Sequence, residues 1–230
     1  MIFLKMGMPL WRNLKVVNDK KNLIIIGAGG HGKVVADCAR ATEQFDNIQF
    51  LDGKYPELLQ VASWDIVGNQ NDYAVFDNTN TWYFVAIGSN TTRHKWQQTL
   101  LVNGHKVATL VHPNACVAQD VVIGQGTLIL AGCVINILSE IGEGCIINTG
   151  TTIDHDCSIG EFSHLAPGVS LAGAVKLGVE AFIGVGSNVI QCLSIGDKST
   201  IGAGSTVLQN IPANVTAVGT PAKVIKQHES

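Results

Sequence analysis

Residues 141–165 read IGEGCIINTGTTIDHDCSIGEFSHL, with Ile141, Ile147, Ile153, Ile159 and Leu165 at every sixth place. Extended both ways, the same frame collects Val111, Val117, Ile123, Ile129, Ile135, Leu171, Leu177, Ile183, Val189, Ile195, Ile201 and Val207, making 17 aliphatic residues without insertion or deletion. A second column four places later is mostly small, as at Ala115, Thr127, Cys133, Ser139, Cys145, Thr151, Cys157 and Ser163. A period of six fits neither a helix nor an alternating strand. It predicts a parallel β-helix of hexapeptides, with one large and one small inward side chain per hexad and each coil paired to the next through its backbone. The residue after each aliphatic is often Gly, Asn or Asp, as at Gly124, Asn136, Gly142, Asn148 and Asp154, types that suit tight corners. At roughly 18 residues per three-sided coil, the repeat from Val111 to Pro212 makes about 5.7 coils and a prism on the order of 27 Å long at ~4.8 Å per coil. No loop is inserted between hexads, so the prism has no pocket of its own and a cleft must come from another subunit.

Upstream, Leu23–Ile26 reads as a buried strand, followed by the loop Gly27-Ala28-Gly29-Gly30-His31-Gly32 and a helix beginning near Lys33 with Val34, Val35 and Cys38 on one side. A second strand, Ile48–Leu51, ends at Asp52, and a third covers Tyr83–Ile87. Gly88-Ser89-Asn90 forms another loop, with Thr91 or Thr92 as the cap of a helix running to about Val102. This is a small βαβαβ unit with a parallel sheet. The expected organisation is an N-terminal extension (1–21), a Rossmann-like α/β domain (22–110), the β-helix (111–212) and a C-terminal segment (213–230).

The first loop satisfies G-x-G-x-x-G, and Asp52 follows its last glycine, Gly32, by 52 − 32 = 20 residues, the dinucleotide spacing. Physically, the glycines let backbone approach a phosphate and the helix N-terminus supplies amide donors. The unit is roughly half of a full dinucleotide fold. A nucleotide-sugar diphosphate, NAD, and a glycine turn without ligand are the three readings left open.

A net charge of −3 with 14% charged residues offers no basic surface for nucleic acid. Three of the six cysteines, Cys133, Cys145 and Cys157, fall in the inward column, where a thiol is a small apolar filler, and all are expected to be reduced. The apolar stretch Met1–Trp11 is broken by Lys5 and too short to span a bilayer. The expectation is a cytoplasmic chain with no membrane span.

Among the seven histidines, His155 and His164 lie inside the repeat beyond its first hexad. His155 takes the third, outward place of its hexad between Asp154 and Asp156, carboxylates able to hold one imidazole tautomer and stabilise the imidazolium. It is either a general base or a solvated surface residue. Cys157 points inward in the same frame, so a thiolate–imidazole pair would need a break in the repeat. A metal site needs about three ligands, and His155 with His164 is the only obvious pair, so no metal is expected. Trp64, Trp82 and Trp96 are given no functional role.

The hexapeptide run, the segment Ile24-Ile25-Ile26-Gly27-Ala28-Gly29-Gly30-His31-Gly32-Lys33, the His155-Asp156 pair and Gly160-Glu161-Phe162-Ser163-His164 together resemble the bacterial nucleotide-sugar N-acetyltransferases, grouped with the sialic-acid O-acetyltransferases, over about residues 22–225. The resemblance implies a left-handed β-helix and a homotrimer with its active site at the subunit interface. It implies acetyl-CoA as donor and the 4-amino group of a UDP-linked amino-deoxy sugar as acceptor, in surface polysaccharide or glycan synthesis. Carried over, it makes His155 the general base and Asp156, where relatives often have Glu, its orienting partner. It puts Gly29, Gly30, His31, Gly32 and Lys33 around the diphosphate and sugar, with Asp52 near the uridine. His164 and Asn148 line the acceptor and pantetheine sides, the Gly173 amide meets the thioester carbonyl, and Gly219, Thr220, Pro221 and Ala222 lie near the CoA end. Transfer would be direct, with no covalent enzyme intermediate. The competing expectations are an O-acetyltransferase acting on sialic acid or a related sugar, and a non-catalytic nucleotide-sugar-binding trimeric scaffold.

Overall fold

The structure, a computed structural model, describes residues 21–76 and 78–228, so nearly all of the expected N-terminal extension lies outside the described residues. Strand β1 (Asn22–Ile26) is an unbroken apolar run after its first residue, as a strand covered on both faces requires. Next come helix α1 (Gly30–Ala41), β2 (Asn47–Leu51), β3 (Gln60–Val61), β4 (Trp64–Gly68), β5 (Thr81–Val85), helix α2 (Asn90–Val102) and β6 (Lys106–Val107). They form one six-stranded sheet in the order β3-β4-β2-β1-β5-β6, parallel except at the β3–β4 edge.

Two local expectations change. Helix α1 starts at Gly30 rather than Lys33, because extended Gly29 serves as its N-cap. Its buried face is Gly32, Val35, Ala36, Cys38 and Ala39, and Val34, off that face, is 43% exposed. Helix α2 is capped by the Ser89 hydroxyl, which accepts from the Thr92 N–H, so Thr91 and Thr92 both lie inside the first turn.

From β7 (Leu110–Val111) to β23 (Thr206–Val207), the chain is a succession of two-residue strands that wind into a left-handed prism with three faces. Leu128 pairs with Ile146, Ile135 with Ile153 and Ile141 with Ile159, each 18 residues on. The first face carries Leu128, Ile146 and His164 outward, the second Val134, Thr152 and Ser170, and the third Glu140, Ser158 and Lys176. β24 (Val215–Val218) and β25 (Lys223–Gln227) extend the first face at its far end.

Both inward columns are buried: Ile129 to Val207 form the core, and Thr127, Ser139, Thr151, Ser163, Ser187, Ser199 and Ser205 are fully enclosed beside it. Polar groups survive there because each is hydrogen-bonded. Thr127, Ser139 and Ser163 donate to the carbonyls of Gly142, Asp154 and Gly178, and accept from the amides of Cys145, Cys157 and Ala181.

The corner assignment is corrected. From Ile123 to Ile201 the chain turns through positive φ three places after each large aliphatic, at Gly126, Gly132, Leu138, Gly144, Gly150, Asp156, Phe162, Gly168 and their successors to Gly204. The glycines directly after the aliphatics have a different cause. A Cβ on Gly124, Gly142 or Gly160 would lie 2.5 to 2.7 Å from backbone of the next coil. These residues are small because the coils touch.

Gly160→Ala and Gly150→Ala separate the two roles. Gly150 has φ +68° and open space around it, so Ala should cost about 1–2 kcal/mol of left-handed strain. A Cβ on Gly160 would meet Gly178 C at 2.5 Å and should lower the urea midpoint further; the reverse order would show that the corners are the tighter constraint.

Candidate active site

His155 sits on the corner between the second and third faces, the edge of the prism remote from the first. Its Nδ1 is 2.7 Å from Asp156 Oδ2. Asp156 reaches back to the ring of its immediate neighbour because it occupies the left-handed corner, at φ 58°, a conformation Asp tolerates. The His155 amide donates to Asp154 Oδ1 at 2.9 Å, and Asn136 Nδ2 donates to the same oxygen at 2.8 Å. The hydrogen bond that His155 donates to Asp156, with the Asp154 charge beside it, raises the His155 pKa above the usual imidazole value. Asp154 is held below the usual carboxyl range, chiefly by Asn136. With Nδ1–H donated to Asp156, Nε2 is left as the acceptor. One coil on, a Cβ at Gly173 would lie 2.7 Å from that nitrogen, so only glycine admits the ring there. Among the described residues the Gly173 N–H has no acceptor. Cys157 is buried with its thiol pushed up by burial and donating to the Ala172 carbonyl, so it is a core filler.

The second cluster lies at the C-terminal ends of β1 and β5, adjacent strands whose following helices, α1 and α2, start from two glycine loops. A crevice at such a switch point is where open α/β sheets bind ligands. Gly29, Gly30 and Gly88 each have open space where a side chain would stand. Gly32 is different: its Cβ would meet the Gly27 carbonyl oxygen at 2.1 Å, so it serves helix–strand packing. Asp52 Oδ2 accepts from the Ala28 amide at 2.7 Å and Oδ1 from the Lys54 amide at 3.0 Å. That carboxylate braces the glycine loop.

Leu110, Leu128, Leu130 and Ile146 pack against Ala28, Val35 and Phe50, which seats the α/β unit on the first face. His164 is the next outward residue of that face, and its ring lies 6.3 Å from that of His31. Burial and the nearby Arg93 guanidinium lower both imidazoles to about 4, so both are neutral at neutral pH. Asn148 Nδ2 is 3.4 Å from His164 Nε2, while His31 Nε2 is buried without a hydrogen-bond partner among the described residues. Gly219–Ala222 closes the far end, where Thr220 meets Thr206 and the Ala222 amide donates to the Thr206 carbonyl. One chain thus brings together His31, His164 and Asn148, and separately His155, Asp156 and Gly173. It does not join the two groups, because the first lies on the covered face and the second on the opposite corner. Sequence reasoning missed α2 as the bridge between the units: Thr91 and His94 hold Glu180 at 2.7 and 2.8 Å, and His94 stacks on Phe162 at 4.0 Å. The signal was the second glycine loop, Gly88-Ser89-Asn90, before a helix whose polar residues Asn90, Arg93, His94 and Gln97 recur at helical spacing.

A family model described as the PglD N-terminal domain matches residues 22–100. The acetyltransferase domain of PglB from Neisseria gonorrhoeae FA1090 is 35% identical, covering 90% of this chain and 100% of that one with a TM-score of 0.87, and it has also been solved with acetyl coenzyme A. PerB from Caulobacter crescentus, solved with CoA and GDP-perosamine, is 37% identical over 89% of this chain and 97% of that one, with a TM-score of 0.84. The chain belongs to this family of nucleotide-sugar N-acetyltransferases. A UDP-N-acetylbacillosamine N-acetyltransferase of Bacillus subtilis (strain 168) is 37% identical over 113 residues, 48% of this chain and 52% of that one, so the match spans about half of that relative's length. The matched N-terminal domain contains the glycine loop, Asp52 and most of α2, while His155 lies in the prism. Among the described residues no group of three or more His, Cys, Asp or Glu is arranged to hold a metal ion, and no helix is long and apolar enough to cross a membrane.

The buried neutral histidines set an acid limit on stability. Folded pKa values of about 4 for His31 and His164, against an unfolded value of about 6.5, mean that the unfolded chain takes up protons first. Their contribution is complete above pH ~6.5 and is lost as pH falls toward 4. In urea unfolding across that window, His31→Gln/His164→Gln should lose stability less steeply than the unsubstituted chain; equal slopes would refute the assignment.

Proposed function

We propose that this protein transfers the acetyl group of acetyl-CoA to the 4-amino group of a nucleotide-linked amino-deoxy sugar, UDP being the expected carrier, in surface polysaccharide or glycan synthesis. The observation that carries the reading is His155: an imidazole oriented by Asp156 at 2.7 Å, with its second nitrogen against a glycine whose N–H is free among the described residues. Acetyl-CoA supplies an acyl thioester that is already activated, and the residues around Gly173 and Gly219–Ala222 fit it in having no side chain, or small ones, where it would lie. His155 Nε2 takes the proton the sugar amine loses on acylation, and Asp156 stabilises the resulting imidazolium. The Gly173 N–H faces the oxygen that gains charge. In the α/β unit, Gly29 and Gly30 give the diphosphate access to the start of α1, Lys33 offers it a cation, and Gly32 lets the helix approach the loop. Asp52 keeps the loop shaped beside the nucleoside, while neutral His31 and His164, with Asn148, line the path to the thioester.

The separation of the two groups within one chain supports a homotrimer, in which the crevice of one subunit faces the His155 corner of its neighbour. Exposed Ile137, Leu138, Ile190 and Leu208 on and beside that corner supply apolar surface for such packing. A cytoplasmic location fits a reaction that draws on acetyl-CoA.

CoA-thiol release on mixing the protein, acetyl-CoA and UDP- or GDP-linked 4-amino-4,6-dideoxy sugars tests the activity against a no-sugar control. His155→Ala should lower kcat by about 10²–10⁴-fold; turnover within a few-fold of the unsubstituted enzyme would rule His155 out as the base.

The pH profile gives an independent check. Because Asp156 raises the His155 pKa, the acidic limb of kcat/KM should lie above the ordinary imidazole value of about 6.5. In Asp156→Asn the limb should move to lower pH, with a smaller plateau because the tautomer is no longer held. An unmoved limb would mean that another group titrates.

A further inference from the structure

Arg93 is the largest fully buried side chain among the described residues, at 1% exposed, and it forms no ion pair there. Burial lowers it to about 10, so it remains a cation at neutral pH. A buried guanidinium must satisfy its donors, and here each goes to a neutral oxygen. Nε donates to the Gly144 carbonyl at 2.7 Å, and Nη2 to the Phe162 carbonyl at 2.6 Å and to Asn90 Oδ1 at 2.9 Å. Nη1 donates to the Ile87 carbonyl at 3.1 Å. Ile87 lies just before the open Gly88 side of the crevice, and Gly144 and Phe162 lie on two successive coils of the prism. Phe162 is two residues before His164. One planar group therefore joins the crevice to the prism, with the remainder of α2 alongside: Asn90 Nδ2 donates to the Glu180 and Ala181 carbonyls, and Gln97 to Gln125.

We propose that Arg93 is a positioning residue for the nucleotide sugar. Its fork fixes the Gly88 edge of the crevice relative to His164, and so sets where the sugar leaves the α/β unit to meet the transfer site. This deepens the functional reading above and rests on it. The requirement is for the fork's shape rather than its charge: a lysine ammonium is a point charge with three donors and cannot meet carbonyls spread over two coils and a loop.

Arg93→Lys tests this. A shifted Gly88 edge loses contacts with the sugar that the acetyl-CoA site does not share, so KM for the nucleotide sugar should rise at least about tenfold, the order expected for one or two lost hydrogen bonds, while KM for acetyl-CoA stays within about twofold. A purely structural role would instead lower the active fraction and leave both KM values unchanged, and that result would overturn the proposal. Asn90→Ala, which keeps the guanidinium but removes one of its acceptors, should give a smaller rise in the same constant, and serves if Arg93→Lys does not fold. Hydrogen exchange needs no substrate: the amides of Gly88 and Gly144–Ile146 should exchange faster in Arg93→Lys, with the far coils beyond Gly184 unchanged. Unchanged exchange overturns the clamp whatever the substrate proves to be. Failure of the unsubstituted enzyme to turn over any nucleotide sugar, with exchange altered as expected, would instead overturn the functional reading alone.

Discussion

The backbone pairing of each coil with the coil 18 residues away is the constraint from which the rest of the structure follows. Parallel strands stack at ~4.8 Å, and at that spacing a glycine such as Gly124, Gly142 or Gly160 leaves no room for a Cβ against the next coil. The same spacing brings each inward hydroxyl within reach of both a carbonyl and an amide of the next coil, 15 and 18 residues on. The small column can therefore be polar without leaving buried groups unsatisfied, which explains why Ser, Thr and Cys interchange there. His155 benefits from the same regularity. Its neighbour one coil on is Gly173, and the bare backbone there gives the imidazole a fixed place that a flexible loop would not.

The two groups of candidate residues are built by different means. Around His155 the elements are local: Asp156 is adjacent in sequence, Asp154 is one residue back, and Asn136 lies one coil away. Desolvation is small, so hydrogen bonds and charge dominate and the imidazole becomes a stronger base. Around His31 and His164 the elements come from both units, burial dominates, and the imidazoles become weaker bases. Opposite shifts on the same side-chain type divide the labour: one histidine is suited to take a proton, and two are suited to remain neutral beside a polar substrate.

Joining the units takes two kinds of contact. The apolar one, between Leu110, Leu128 and Ile146 and the α/β core, is broad and non-directional. The polar one, along α2, is specific, since Asn90 and Arg93 each address two particular carbonyls of the prism and Gln97 one. Burial against the first face brings the units together, and the α2 contacts set their orientation.

Much of this was legible in the sequence. The six-residue period determined the stacked coils and their two inward columns, because a repeat without insertions keeps one register from coil to coil, while the left hand of the prism came from the resemblance. The outward placement of His155 and the burial of Cys157 followed from the same frame, and the glycine loop after an apolar strand marked the crevice. Other features depended on neighbours distant in sequence. The role of the glycines after each aliphatic appears only when the next coil is in place, and Val34 is exposed because the phase of α1 is set by what it packs on. Asp52 is occupied by its own loop, and Arg93 acquires its role only when Gly144 and Phe162 are folded against α2. Periodicity reports which way a side chain points relative to its own backbone, and so it was readable from the chain alone; which distant backbone that side chain meets was decided by the tertiary structure.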